Sequence, residues 1–273
     1  MLRHLEREAA LKIDQKKLRE LLLTPAFSLS PDQLRREGNV FLVGGNLPER
    51  QTLETLYDSH YQSNAALFHL TFGKVDQFGS GEALARVIKK NFNVHLAGTL
   101  DFPAPSHLIE RAYAAGVDIL DIPLPAPGIA AEHAKERFQA LNIARSVFPR
   151  WSVVSTLFAG EEPPAVTIAG IDALLASEII PLVVLSQRAA RHPDDEIARI
   201  FNHLQAGWRK HRCLLKPLLP LIRLTTPLVP AAPRNMLRGF IDSIEDRRLL
   251  AASDLRRILR VKEVAESFDS AGL

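Results

Sequence analysis

The chain has a single cysteine, Cys213, among its 273 residues. An intrachain disulfide is therefore impossible, and cysteine-based zinc sites and all-cysteine iron–sulfur clusters are excluded. Uncharged apolar runs stay below the length of about 18 residues that a bilayer span needs, so the sequence predicts no transmembrane helix. The N-terminal stretch MLRHLEREAALKID is charged from its start, unlike a secretory signal peptide. Together these absences predict a cytoplasmic protein.

Positive charge is concentrated near the C-terminus. Residues 209–262 contain 13 lysines and arginines and 4 acidic residues, whereas the whole chain has a net charge of only +3. Such a segment predicts contact with an acidic membrane surface or with a partner protein. A solvated basic helical face is the alternative, and the sequence gives no clear indication of a nucleic-acid partner.

A strand–helix alternation repeats six times through the middle of the chain. Repeated βα units predict a parallel sheet with helical crossovers. The first strand is followed by GGNLPE, which is not the GxGxxG fingerprint of a dinucleotide-binding sheet, so a barrel is favoured. The predicted fold is α/β, a TIM-like partial (β/α)6 barrel with N-terminal helices and a C-terminal helical extension. The predicted strands are 40–43, 66–72, 94–100, 117–124, 153–158 and 180–185.

These patterns divide the chain into three segments. Residues 1–38 are predicted to form capping helices, residues 39–212 the barrel, and residues 213–273 a basic tail rich in proline and leucine that packs on the barrel. The capping segment is predicted to hold an amphipathic helix over 2–23 and a short helix that starts after Ser30 and ends at Gly38. The tail is predicted to hold two basic helices, near 235–252 and 254–266.

The stretch around the fifth predicted strand resembles a known family. Residues 155–163 read STLFAGEEP, preceded by a helix that ends ALNIARSVFPRW and followed by the helix TIAGIDALLAS. This arrangement resembles a relaxed form of the Gly-x-Ile-x-Gly-x-x-Glu pattern on the fifth strand of the radical SAM superfamily. The similarity is to the biotin-synthase-like and menaquinone-enzyme-like branch, and it extends over roughly residues 30–185.

The cluster-binding motif of that family is missing. Its members hold a [4Fe–4S] cluster through CxxxCxxC in the loop after the first strand, where this chain reads GGNLPERQTLETLYDSHYQSN. Without thiolates the chain has no ligand set for the cluster and cannot cleave S-adenosylmethionine reductively. The resemblance therefore implies a member with no iron–sulfur cluster. No cofactor is predicted, although binding of S-adenosylmethionine is a possible remnant.

Six charged residues are candidates for a ligand pocket, because ligands of parallel barrels collect at the carboxyl ends of the strands. Asp121 lies within the apolar strand ILDIPL, where a buried carboxyl requires a partner. Glu162 matches the family's glutamate, although adjacent acids before two prolines also suit a solvated turn. We expect these side chains to bind a small anionic or zwitterionic ligand: Lys74, Asp101, Asp121, Glu161, Glu162 and Arg188.

Three functional hypotheses follow from these features. The first is a cluster-less, radical-SAM-like barrel that binds a small ligand or a partner enzyme and performs no radical chemistry. The second is a barrel lyase or transferase that uses Asp101, Asp121 and Glu162 for acid–base work. The third is a membrane-surface or assembly protein that acts through its basic tail. No residue is assigned as catalytic, and no HxH or HxxxH pair supports a metal site.

Overall fold

The structure is a computed structural model that describes residues 11–24, 30–125, 131–230 and 248–259. Strands and helices alternate through most of these residues. The strands are β1 Leu11–Ile13, β2 Leu34–Glu37, β3 Val40–Gly44, β4 Leu67–Thr71, β5 His95–Thr99, β6 Ile119–Asp121, β7 Val153–Ala159, β8 Ile180–Leu185 and β9 Leu228–Pro230. The helices are α1 Gln15–Leu23, α2 Glu49–Gln62, α3 Phe78–Asn91, α4 Ser106–Ala114, α5 Ala131–Val147, α6 Pro164–Ala176, α7 Asp194–His211, α8 Leu219–Thr225 and α9, residues 248–259.

Strands β2 to β8 form one curled, half-barrel sheet in the order of the sequence. β3 to β8 are parallel to their neighbours, and β2 is added antiparallel at the β3 edge. One helix connects each pair of neighbouring parallel strands, as helical crossovers require. All six carboxyl ends therefore meet at one edge of the sheet. The prediction of an α/β fold with a parallel sheet is confirmed.

The two faces of the sheet pack into different parts of the core. Phe41, Phe68 and Leu120 belong to a buried cluster that also contains side chains of α3 and α4. Residues of the other parity, such as Leu42 and Ala97, belong to a second cluster that includes side chains of α8. This alternation follows from the two-residue period of a strand, which sends neighbouring side chains to opposite faces.

The short helix predicted between Ser30 and Gly38 is wrong, because this segment forms a turn and the edge strand β2. The backbone N–H of Gln33 donates to the carbonyl of Ser30 at 3.2 Å, which closes the turn. Gly38, with φ of +59°, and Asn39 then connect β2 to β3 as a two-residue hairpin. A Gly-Asn pair between two short runs is a hairpin signal, so the sequence did contain the information.

The helix predicted over 2–23 is wrong in its described N-terminal part. Leu11–Ile13 is the strand β1, which pairs antiparallel with β9. α1 begins only after Asp14, whose carboxylate accepts hydrogen bonds from the backbone N–H groups of Lys16 and Lys17 at 2.9 and 3.2 Å. An N-cap of this kind sets the start of a helix. The earlier residues of the predicted helix lie outside the described part of the chain.

The gap predicted between two tail helices near residue 253 is also wrong, because α9 runs through it without a break. Ser253 lies within α9, and its hydroxyl donates to Asp118 at 3.2 Å. The remaining parts of the two predicted helices lie outside the described residues. Among the described helices, none is long and apolar enough to cross a membrane.

Candidate functional site

Polar side chains gather where the parallel strands end. In the register of the sheet, Thr71, Thr99 and Asp121 lie side by side on β4, β5 and β6. Each of them is the last residue of its strand and is buried. The parallel arrangement therefore places a row of hydrogen-bonding groups on one face, at the edge where ligands of such sheets bind.

Asp121 is the ionisable member of this row. Thr156 of β7 donates to its carboxylate twice, from the hydroxyl at 2.9 Å and from the backbone N–H at 3.1 Å. Burial raises the pKa of the Asp121 carboxyl to about 7, and the hydrogen bonds from Thr156 oppose that rise without cancelling it. The nearby charge of Asp101 raises this pKa further, whereas Arg137 lowers it. Near neutral pH the carboxyl can therefore exist with or without its proton.

A neutral histidine lies two strands from Asp121. A hydrogen bond of 3.1 Å joins Nε2 of His69 to the hydroxyl oxygen of Thr99. Burial lowers the pKa of His69 to about 4, because desolvation disfavours the imidazolium. At neutral pH the imidazole contributes hydrogen-bonding capacity without charge.

Asp101 is held by a residue that the sequence did not point to. Arg137 of α5 donates to the Asp101 carboxylate at 2.9 Å, to its backbone carbonyl at 3.0 Å and to the carbonyl of Pro123 at 2.6 Å. The arginine is largely buried, whereas the Asp101 side chain is mostly exposed. Arg137 lies mid-helix among other charged residues, 36 positions from Asp101, so no local pattern identifies it.

Two further candidates form an ion pair across the ends of β7 and β8. Arg188 donates to the Glu161 carboxylate at 3.1 Å. The neighbouring Glu162 is half-buried, so it is not a fully solvated turn residue. Lys74 is exposed in the turn after β4, where its backbone N–H donates to Gln77. Of the six candidates, Glu161 and Arg188 form an ion pair, and Asp101 affects Asp121 only through its charge. Glu162 and Lys74 complete the set.

The end of β3 is covered by the turn that precedes β2. A Cβ atom at Gly44 would collide with the carbonyl oxygen of Pro31, and one at Gly45 would lie 2.6 Å from the carbonyl oxygen of Thr71. Asn46 completes the contact, since its backbone N–H donates to Pro31 and its side chain to Asp32, both at 2.9 Å. The loop after this strand carries no cysteine and does not fit an iron–sulfur cluster. In the described residues, no group of three or more His, Cys, Asp or Glu side chains is placed to hold a metal ion.

A second buried carboxylate lies at the opposite edge of the sheet. Asp118 immediately precedes β6 and is bonded to Lys89 at 2.9 Å and to Arg257 of α9 at 2.8 Å. Burial raises the pKa of the Asp118 carboxyl, but these two cations outweigh it and hold that pKa below its usual value. In parallel α/β barrels, the corresponding edge serves stability rather than chemistry. Sequence reasoning missed this cluster as well.

Comparison with known proteins adds no family to this picture. No protein-family model matches the chain, and no curated protein matches it significantly.

Proposed function

We propose that this chain is a partial (β/α)6 barrel that binds a small zwitterionic molecule at the carboxyl ends of its strands. Asp121 would transfer a proton to or from the bound molecule. The observation that carries this proposal is the buried Asp121 carboxyl with its pKa near 7, placed at the end of a parallel strand beside Thr156. The reaction class is a proton-dependent lyase or transferase step.

Six parallel strands in sequential order, with a helix between each pair of neighbours, support the barrel assignment. A doubly wound sheet would instead change direction at a switch point in its strand order. The resemblance to the radical SAM superfamily supports the same architecture, and we propose the chain as a cluster-less relative of it. The missing thiolates remove the radical chemistry and leave acid–base chemistry as the function of this edge.

The pKa of Asp121 suits general acid–base catalysis. A catalytic acid or base works best when its pKa lies near the operating pH, because both protonation states are then available. An ordinary exposed aspartate is almost fully ionised at pH 7. The desolvated position of Asp121 therefore gives its carboxyl a property that an ordinary exposed aspartate lacks, and perturbed groups of this kind concentrate at functional sites.

The charges around Asp121 favour a zwitterion over a simple anion. Arg137 and Arg188 each form an ion pair with an acidic residue at the strand ends, Asp101 and Glu161 respectively. Positive and negative groups therefore lie together at this edge. A ligand with both an ammonium and a carboxylate can match such an arrangement, whereas an anion alone would meet Asp101 and Glu161.

Titration calorimetry with S-adenosylmethionine, whose amino-acid end is a zwitterion, tests the proposal. Because binding near Asp121 changes the solvation of its carboxyl, the measured heat should depend on the ionisation enthalpy of the buffer most strongly near pH 7. The Asp121→Asn variant should lose this proton linkage. The matched control is Asp76→Asn, which removes an exposed carboxylate in the turn after β4 and should leave the linkage unchanged.

Two results would contradict the proposal. Heat that shows the same buffer dependence in the wild type and in Asp121→Asn would place the binding site away from Asp121. The absence of any heat at millimolar S-adenosylmethionine and at millimolar methionine would remove the zwitterion as the ligand class. Anaerobic reconstitution with iron and sulfide provides a separate test, since a stoichiometric cluster would overturn the cluster-less assignment.

A further inference from the structure

α9 buries Leu250 and Arg257 and leaves a stripe of apolar residues exposed on its other side. Leu255, Ile258 and Leu259 are 59%, 64% and 52% exposed, and they follow one another at helical spacing on one side of α9. Ala251 and Ala252 are exposed one turn earlier. We call these five residues the outer face of α9. A surface helix normally buries such a stripe, whereas α9 leaves these residues exposed.

Hydrogen bonds and ion pairs explain which side of α9 faces the rest of the protein. Arg257 is buried and donates to Asp118 at 2.8 Å and to the carbonyl of Tyr113 at 2.8 Å. Ser253 donates to the same carboxylate. Since Asp118 is itself buried, the ion pair has a strong orientational preference, which fixes the side of α9 that faces the barrel.

The outward surface of α9 is basic as well as apolar. Arg248 and Arg256 are exposed on the helix. Its acidic residue, Asp254, is engaged by Arg257 at 2.6 Å and lies 3.9 Å from Lys89. Two cations and five aliphatic side chains therefore dominate the chemistry of this surface. The surrounding sequence, residues 209–262, carries the chain's excess of positive charge.

We propose that the outer face of α9 binds the surface of an anionic lipid bilayer, with the helix lying in the plane of the interface. Aliphatic side chains would enter the boundary between headgroups and acyl chains, while Arg248 and Arg256 meet the anionic headgroups. A second copy of this chain fits this surface less well. Two copies related by a two-fold axis would bring the same patch together and oppose arginines with arginines.

Flotation of the full-length protein with lipid vesicles tests this inference. We expect co-flotation with vesicles of phosphatidylcholine and phosphatidylserine at low salt, and much weaker association with pure phosphatidylcholine. The Leu255→Gln/Ile258→Gln double variant should lose at least about tenfold in vesicle affinity, because it removes two of the aliphatic contacts. Arg256→Gln should lower vesicle affinity about fivefold, because it removes one basic side chain that attracts anionic headgroups.

A matched control carries the same kind of change elsewhere. Val75 and Val166 are exposed hydrophobic residues away from α9, at 55% and 48%, and the Val75→Gln/Val166→Gln variant should float like the wild type. Circular dichroism of each variant verifies that the fold is retained. No association with anionic vesicles at low salt, or equal association of the Leu255→Gln/Ile258→Gln variant, would overturn the proposal.

Sedimentation of the free protein tests whether a second copy of the chain, rather than a lipid surface, binds the outer face of α9. A dimer that dissociates in the Leu255→Gln/Ile258→Gln variant would show that the outer face of α9 contacts a second copy of the chain, which would overturn the lipid assignment. A wild type that stays monomeric and still floats with anionic vesicles supports it. These outcomes are independent of the zwitterion site, because α9 contacts the opposite edge of the sheet through Asp118.

Discussion

The Asp121 carboxyl accepts hydrogen bonds from both the hydroxyl and the backbone N–H of Thr156, on the neighbouring strand. These two bonds favour the ionised carboxylate, yet burial outweighs them and the pKa of Asp121 rises to about 7. The pKa of Asp121 is therefore set by two opposing effects: desolvation, which raises it, and the two uncharged donors of Thr156, which lower it. A full counter-charge at the same distance would have kept the carboxyl ionised throughout the physiological range.

The elevated pKa of Asp121 predicts that its ionisation destabilises the fold. Between about pH 4 and 7 the folded protein retains the Asp121 proton, whereas the unfolded chain, with its ordinary pKa, releases it. This contribution to stability is therefore complete below about pH 4, falls by roughly 1.4 kcal/mol per pH unit as the pH rises from about 4 to 7, and is lost above pH 7. Asp121→Asn should remove this negative slope from the free energy of unfolding. Urea denaturation at half-unit intervals from pH 4.5 to 8 measures it, and Asp76→Asn should keep it.

The lowered pKa of His69 predicts the opposite slope. Burial disfavours the imidazolium, so the unfolded chain takes up a proton below about pH 6.5 that the folded protein accepts only near pH 4. Stability from this group is present above pH 6.5 and is lost as the pH falls. His69→Gln should therefore make the free energy of unfolding less sensitive to acid between pH 4.5 and 6.5. A parallel decline of wild type and His69→Gln in that range would contradict this prediction.

The ion pair between Arg257 and Asp118 predicts a large stability difference between two adjacent arginines. Arg257→Met leaves the buried Asp118 with a single cation and should lower the free energy of unfolding by about 3 kcal/mol. Arg256→Met changes an exposed residue on the same helix and should alter it by less than about 0.5 kcal/mol. Urea denaturation at pH 7 compares them. Equal effects would mean that α9 does not depend on the buried pair.

The contact between Gly44 and the turn at Pro31 predicts that even a methyl group is costly there. Gly44→Ala must displace the backbone of the turn and should destabilise the fold by about 2 kcal/mol. Gly79 in α3 has open space around its missing side chain, so Gly79→Ala should be neutral or stabilising by up to about 1 kcal/mol. Thermal or urea unfolding measures the difference, and similar effects at the two glycines would refute it.

Several elements could be predicted because their signals are local. β8 has the predicted bounds, Ile180–Leu185, since a continuous apolar run suits a strand buried on both faces. β7 was also expected, although Thr156, Leu157 and Phe158 within it are only partly buried. The hairpin at Gly38 was missed because the preceding Ser-Pro-Asp sequence also matches a helix start. Pairing with β3 decided between the two interpretations.

The candidate site could be predicted only in part. Strand ends identified Asp101 and Asp121, because parallel topology brings such residues to one edge. Their partners came from distant sequence positions: Thr156 lies 35 residues from Asp121, and Arg137 lies 36 residues from Asp101. Whether these groups meet depends on the curvature of the sheet and on how α5 packs, which no local pattern encodes.

Asp118 and Asp121 show what the sequence determines and what only the tertiary structure decides. From the sequence alone, both are acids in one short apolar stretch, and each requires a buried partner. The sequence by itself determined the α/β alternation, the strand β6 that ends at Asp121 and the lack of cluster ligands. The tertiary structure decided their chemistry, because Asp118 meets Lys89 and Arg257 and stays ionised. Asp121 meets the neutral Thr156 at the other edge, so desolvation raises its pKa to about 7.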